Sequence, residues 1–406
     1  MTILLTTLPD ALLIKCMSFV GKANFIFVAG VCRSFRTAYT FFLEQQDQPE
    51  SKTTGMNEII SSLSRLQLVM NERYNDVAVE HDSSMVFWTK VFKCAVKNGN
   101  LVVLVWMKQE NTMHWKSYCR YTQVCTSSSN NPCIVAAKSG QLKVLQWLRS
   151  DTGGKFHWDA ETCRTAAENG HLDVLKWAHQ NECEWDERTC ASAASKGHLE
   201  ILKWAHQNDC PWDPRTCSNA TAGGYLKVLQ WARQHFCPWS AFTCSMAAKH
   251  GHLEILRWTR QNGCPWNVNT CSMAAEHGHF ELLKWAHWNG CLWNESVCFY
   301  AALNGHLEIL KWARQNGCPW DEETCARAAE NGNLETLKWA HHNRCPWDTH
   351  ACRNAAANGH FEVLKWLHQN GCPWDSGTSY YAKLNGHLEM VEWVKAKGCP
   401  TSSTYE

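Results

Sequence analysis

Cysteine and histidine recur along this chain on a fixed beat, and the beat limits the chemistry they can do. The sequence holds 23 cysteines. One series follows a recurring Thr or its equivalent: Cys163, Cys190, Cys217, Cys244, Cys271, Cys298, Cys325 and Cys352. A second precedes a recurring Pro-Trp position: Cys183, Cys210, Cys237, Cys264, Cys291, Cys318, Cys345, Cys372 and Cys399. Zinc sites usually draw on cysteines roughly two to four residues apart. Here the nearer spacing leaves six residues between, as from Cys183 to Cys190. The pattern therefore reads as reduced thiols packed as small apolar side chains, with no metal. The His of the recurring Gly-His-Leu falls at a helix start, where capping accounts for it. Tryptophan keeps the same beat, in one series from Trp177 to Trp366 and a second from Trp185 to Trp374. An aromatic ladder could hold a ligand, but a residue repeated in every unit serves the unit, so inter-repeat packing is expected. No nucleophile–base constellation and no G-x-G-x-x-G or G-x-x-x-x-G-K loop is present. The chain reads as a non-enzyme without a cofactor.

The elements that carry these residues follow from the glycines. Gly170, Gly197, Gly224, Gly251, Gly278, Gly305, Gly332, Gly359 and Gly386 are each 27 residues apart. A strict period of that length means one supersecondary unit stacked on itself. In the unit at Asp321, the aspartate is a natural N-cap, and Glu322 and Glu323 suit a first turn. Cys325, Ala328 and Ala329 then share one side of a short helix, and Gly332 ends it in the left-handed conformation. The second helix, as at Leu307–Ala313, puts Leu307, Ile309, Leu310 and Ala313 on an apolar arc and Glu308 and Lys311 in water. Asn316-Gly317 ends it, and Cys318-Pro319-Trp320 leads to the next unit. Each pair of helices has little core of its own and depends on its neighbours.

The totals fit this picture. The 406 residues carry 39 basic and 38 acidic side chains, a net charge of +1, which argues against a nucleic-acid or anionic-membrane partner. No apolar run reaches the length of a membrane span. The start of the chain lacks a basic n-region and a cleavage site. The expectation is an intracellular protein, cytoplasmic or nuclear, and a monomer.

The repeat Thr-Cys-x-x-Ala-Ala-x-x-Gly-His-Leu-Glu-x-Leu-Lys-Trp resembles the ankyrin repeat, whose core reads T-P-L-H-x-A-A-x-x-G-H-L-E-V-V-K-L-L. The ankyrin period is about 33 residues; the residues missing here fall in the connector, which in that family forms a β-hairpin finger. The resemblance implies an all-α, ankyrin-like helix–turn–helix solenoid with reduced or absent β-hairpins. It is regular from residue 141, and weaker units at Phe92–Leu101 and Cys133–Trp147 extend it upstream to span 86–406 in about eleven units. Residues 110–131 are Ser-rich and show no clean repeat.

The first 45 residues do not keep the beat. Leu8, Pro9, Leu12, Leu13, Ser18 and Phe19, followed by Val31, Cys32, Arg33, Phe35 and Arg36, resemble an F-box, with departures at Ala11, Cys16 and Val20. By that resemblance Leu8, Pro9, Leu12, Leu13, Val31, Cys32 and Phe35 would contact the Skp-type adaptor of a cullin–RING ubiquitin ligase. The alternative is a helical module that only caps the array. Residues 46–85 read as a linker, with a possible helix at 56–72. Chains with this short Trp-rich unit look like those of large DNA viruses and protists; in a virus the target would be a host protein.

Positions that vary between repeats are free to meet a partner. On the first helix these are the residue before Thr, the two after Cys and the one after Ala-Ala. In ankyrin-like stacks such helices line the concave face. Phe242, Met246, Met273, Phe299 and Tyr300 are expected at the centre of a protein-binding site, with Arg353, Tyr380 and Tyr381 extending it; the two tyrosines also suit a terminal cap. The combined reading is an adaptor that grips a target and presents it to a ligase, or else a pure interaction scaffold.

Overall fold

The structure is a computed structural model that describes Thr89 and residues 91–110, 131–150 and 155–400. The F-box-like segment 1–45 and the linker 46–85 lie outside the described residues. The chain divides into two units, residues 1–189 and 190–406. All regular structure among the described residues is helical.

In residues 190–400 a short helix, a tight turn and a second helix recur without interruption. Pro214–Ala222 is followed by Leu226–Gln234, Ala241–Lys249 by Leu253–Gln261, and Val268–Glu276 by Phe280–Trp288. The series runs on to Ser376–Leu384 and Leu388–Ala396. First helices pack on first helices: Ala241–Lys249 lies against Val268–Glu276, and Glu322–Glu330 against Thr349–Ala357. They can do so because the buried side is all small: Cys244, Ala247 and Ala248 in one, Cys271, Ala274 and Ala275 in the next, each completely buried. Second helices supply the bulk of the core through Leu202, Leu229, Leu256, Leu283 and Leu310, each fully buried. This is the helical-repeat solenoid expected from the period. Among the described residues the connectors hold no strand, so the finger is reduced to a turn.

The same pair appears in residues 1–189. Residues 91–97 are helical and precede Leu101–Glu110, with Gly99 at φ +72° between them. Pro132–Lys138 and Leu142–Arg149 are joined through Gly140 at φ +68°. Both weak upstream repeats are therefore complete helix pairs. Phe92 meets Phe156 with ring centroids 6.1 Å apart, and both are buried.

Helix starts follow the chemistry of their first residues. Asp213, Ser240, Asn267, Asp348 and Asp375 each accept a hydrogen bond from the backbone N–H two residues on, satisfying an orphan donor of the first turn. Asp321 occupies the same position with the same extended backbone, but its side chain makes no cap bond. The start is held there by Thr324 N–H donating to the Asp321 carbonyl at 3.2 Å.

The histidine after the glycine is not a cap. His252, His279, His306 and His387 stand at the N-cap position of the second helix without a side-chain cap bond. Each ring instead reaches the preceding repeat, where Nε2 lies 3.2 Å from the Ala222 carbonyl, 3.1 Å from Lys249, 3.2 Å from Glu276 and 3.3 Å from Ala357. The ring also fills the space beside the preceding repeat's glycine. A Cβ on Gly251 would sit 2.6 Å from His279 Cε1, and one on Gly278 2.9 Å from His306 Cε1. Where the chain has Asn333 in place of His, Nδ2 donates to the Ala302 and Leu303 carbonyls at 3.0 and 2.8 Å. The glycine thus answers two demands at once: a positive φ, +71° at Gly251 and +76° at Gly278, and no side chain under the neighbouring ring.

The connector tryptophans are packing elements. From Trp212 to Trp374, each stacks on a His or Arg near the end of its own second helix and meets the next repeat's helix Trp edge-on. His206 lies 4.1 Å from Trp212, His287 3.7 Å from Trp293 and His341 3.8 Å from Trp347, all near parallel. Arg233, Arg260 and Arg314 take the same place 3.9–4.1 Å above Trp239, Trp266 and Trp320. Trp293–Trp312 and Trp320–Trp339 close the edge contacts at 5.5 and 5.9 Å. The stacking column holds His or Arg six residues before each of these connector tryptophans, a signal present in the sequence that a search for tryptophan alone passes over.

Candidate protein-binding site

The variable side chains of the first helices sit in columns set by the repeat. Met246, Met273, Tyr300, Arg327 and Asn354 are equivalent, 27 residues apart on consecutive packed helices. All five are half-buried. The residue immediately after Cys is more enclosed than the sequence suggested: Ala191, Ser218, Ser245, Ser272 and Ala326 are buried. That position faces the adjacent first helix, so it tolerates only small side chains in most repeats. Thr165, expected in the outward arc, is buried as well. The open positions are therefore fewer than four per helix.

Phe299 breaks the small-residue column and remains half-buried. Its ring meets Tyr300 edge-on, with centroids 4.7 Å apart and an interplanar angle of 82°. The Arg327 guanidinium lies 4.9 Å from the Phe299 ring centroid, a cation–π distance. Arg327 also pairs with Glu330 at 2.5 Å and Glu323 at 3.2 Å. The cluster is thus two aromatic rings and an oriented arginine, joined across two repeats. Phe242 stands one turn before Met246 on its helix and is 55% exposed.

The structure separates Arg353 from this group by role. Its Nε donates to Asp375 Oδ1 at 2.9 Å, and its Nη2 bonds the other carboxylate oxygen. The guanidinium holds the Asp375 carboxyl below the usual carboxylate range. Since Asp375 caps the next first helix, Arg353 ties two repeats together. Tyr380 and Tyr381 are exposed, with ring centroids 5.3 Å apart. Leu8, Pro9, Leu12, Leu13, Val31, Cys32 and Phe35 fall outside the described residues.

Among the described residues every cysteine except the half-buried Cys94 is buried. Burial pushes Cys133 up to about 12, and Cys399 up to about 11. Cys264, Cys291, Cys318, Cys345 and Cys372 each point a sulfur at a backbone carbonyl 24 residues earlier, at 3.3–3.5 Å. This weak bond ties each connector to the start of the preceding first helix. Among the described residues no group of three or more His, Cys, Asp or Glu is gathered to hold a metal ion.

Residues 163–206, 244–287, 271–314 and 325–368 match the family model for ankyrin repeats (many copies). No curated protein matches the chain. Among solved structures it is similar to the human ASB11 ankyrin repeat domain, at 15% identity over 39% of this chain and 84% of that one, with a TM-score of 0.33. The matched segments are ankyrin repeats, a class of protein-interaction scaffold.

Proposed function

We propose that this chain is a non-catalytic adaptor whose repeat array grips a target protein through its first-helix face. The observation that carries this is the Phe299–Tyr300–Arg327 cluster, where Phe299 stands in a column that most sister repeats fill with Ala or Ser and packs beside Tyr300 and Arg327. Half-buried aromatic rings beside an arginine are the side chains that most often dominate protein interfaces. Phe242, Met246 and Met273 extend the surface along the neighbouring helices, and Tyr380 and Tyr381 mark its far edge. Among the described residues no helix is long and apolar enough to cross a membrane.

The finer part of the proposal rests on the first 45 residues. The F-box-like pattern would dock a Skp-type adaptor through Leu8, Pro9, Leu12, Leu13, Val31, Cys32 and Phe35, placing the bound target within a cullin–RING ligase. The proposed domain order is then module 1–45, linker 46–85 and array 86–406, working in the cytoplasm or nucleus. The test is co-purification of the full chain with a Skp-type adaptor, expected for the native sequence and lost in the Leu8→Ala/Pro9→Ala variant. Absence of the adaptor from the native preparation removes the ligase link and leaves an interaction scaffold with a helical cap. For the target, a Phe299→Ala/Tyr300→Ala variant should lose capture while its array still unfolds cooperatively. Retained capture would move the site off this face.

A further inference from the structure

Several second helices carry one ion pair on their exposed face, and among the described residues the helix Leu253–Gln261 does not. Lys203, Lys284, Lys311, Lys338 and Lys365 each pair with the Glu three residues earlier, at 2.7–2.8 Å. The equivalent residue in helix Leu253–Gln261 is Arg257, and Glu254 stands in the partner position. Yet among the described residues Arg257 forms no ion pair. Its guanidinium lies 5.8 Å from the ring of Trp285, in the next repeat. One turn on, Arg260 stacks 3.9 Å above Trp266 and donates from Nη1 to the Cys264 carbonyl at 2.5 Å. Both guanidiniums open onto a groove of about 480 Å³, completed by Gln261, Trp266, Trp285 and Asn289. Among the described residues no carboxylate lines it.

The second helix and connector of the next repeat, which carry Trp285 and Asn289 of the groove, break the beat twice more. Trp288 takes the place of the Gln found at Gln234, Gln261 and Gln315, and Leu292 replaces the proline of Cys-Pro-Trp. They are 68% and 74% exposed. Trp288 shares a helix face with Trp285 at i,i+3, and Leu292 follows Asn289 by three residues. Trp288 also meets the Trp312 ring edge-on at 6.1 Å, but sister units fold with Gln and Pro at these two positions.

We propose that this groove is a second docking site, which seats an acidic side chain of a partner polypeptide between Arg257 and Arg260 while Trp288 and Leu292 hold an apolar residue beside it. Charge complementarity selects the occupant. A pair of guanidiniums i,i+3 on one helix, backed by indoles and an amide, matches a carboxylate in geometry and charge. Nucleic acid would need a longer basic stripe, which a chain of net charge +1 does not supply from one repeat. The flanking Trp and Leu supply the apolar contact that adds affinity at an interface. The site lies on second helices and a connector, so it is built from other residues than the first-helix cluster.

The experiment is a fluorescence anisotropy titration of the full chain with a labelled peptide of repeated Glu-Glu-Leu, against a Gln-Gln-Leu counterpart and poly(U) RNA. The acidic peptide should bind saturably and the neutral one should not. Arg257→Gln should weaken binding about tenfold, the loss of one charged hydrogen-bonding partner. Trp288→Gln/Leu292→Pro, which restores the residues of sister repeats, should weaken it about threefold. Lys311→Gln and Phe299→Ala/Tyr300→Ala should leave it unchanged. The proposal is overturned by absence of saturable binding, by equal binding of the neutral peptide, by an equal loss in Lys311→Gln, or by poly(U) binding more tightly than the acidic peptide with the same dependence on Arg257.

Discussion

The two sides of each helix pair obey opposite rules. The first-helix column changes its residue at nearly every repeat, from Met246 and Met273 to Tyr300, Arg327 and Asn354. The connector column scarcely changes: Trp212, Trp239, Trp266, Trp293, Trp320, Trp347 and Trp374, each with a His or Arg before it. The contrast shows how a thin core divides its work. Invariant aromatic stacks and buried leucines fix the distance between repeats, which frees the first-helix positions to vary. Arg257, Trp288 and Leu292 are informative because they bring variation in neighbouring repeats to the side that holds the constant tryptophans.

The sharpest way to test this division is to remove a residue that keeps the beat. Leu310→Ala, at a fully buried position, should cost roughly 2–5 kcal/mol. Because each pair is covered only by its neighbours, the damage should spread. Limited proteolysis is expected to cleave adjacent repeats as well, and an unchanged cleavage map would break the nearest-neighbour picture.

Two glycines separate the two roles found for this residue. Gly278→Ala meets both a φ of +76° and the His306 ring at 2.9 Å, whereas Gly317→Ala meets only a φ of +82° with nothing within 4 Å. Backbone strain alone costs roughly 1–2 kcal/mol. Chemical denaturation should show Gly317→Ala within that range and Gly278→Ala clearly above it. Equal losses would mean that the histidine ring yields without cost.

The smallest effect concerns the stacking column itself. Burial holds His206, His287 and His341 below the ordinary imidazole value of 6.5. For His206 the neighbouring His235 adds to that shift. The folded state then takes up protons less readily than the unfolded chain, so stability is full above that value and falls as pH drops through it. Thermal melts should show a lower Tm at about pH 5.5 than at about pH 7.5. A His206→Arg/His287→Arg/His341→Arg variant, which adopts the residue sister repeats use, should flatten the dependence. A variant as pH-sensitive as the native chain would place the titration elsewhere.

Much of the fold was legible because it is local. The glycine beat, the small residues of Cys325, Ala328 and Ala329 and the leucine of the second helix each announce one turn of backbone or one buried face. The capping of first helices at Asp213 and Asp348 also follows from neighbouring residues. What could not be read locally concerns contacts 20 to 30 residues apart. His279 looked like a cap because it starts a helix, but its ring bonds the Lys249 carbonyl 30 residues earlier. Ser272 looked outward by helical spacing, but the adjacent first helix covers it. The candidate site was legible as a break in a pattern at Phe299 and Tyr300, while the stacking of Arg327 on Phe299 required two helices to be placed side by side.

The sequence by itself determined the unit: its length, its two helices, its left-handed glycine and the residues that must be buried. A period states that equivalent residues stack, since identical units bury their faces only on one another. It does not state the rotation between units, and that rotation decides which columns touch. Only the tertiary structure therefore decided that histidine joins repeats, that Arg353 is tied to Asp375, and that Arg257 leaves Glu254 for the indole of the next repeat.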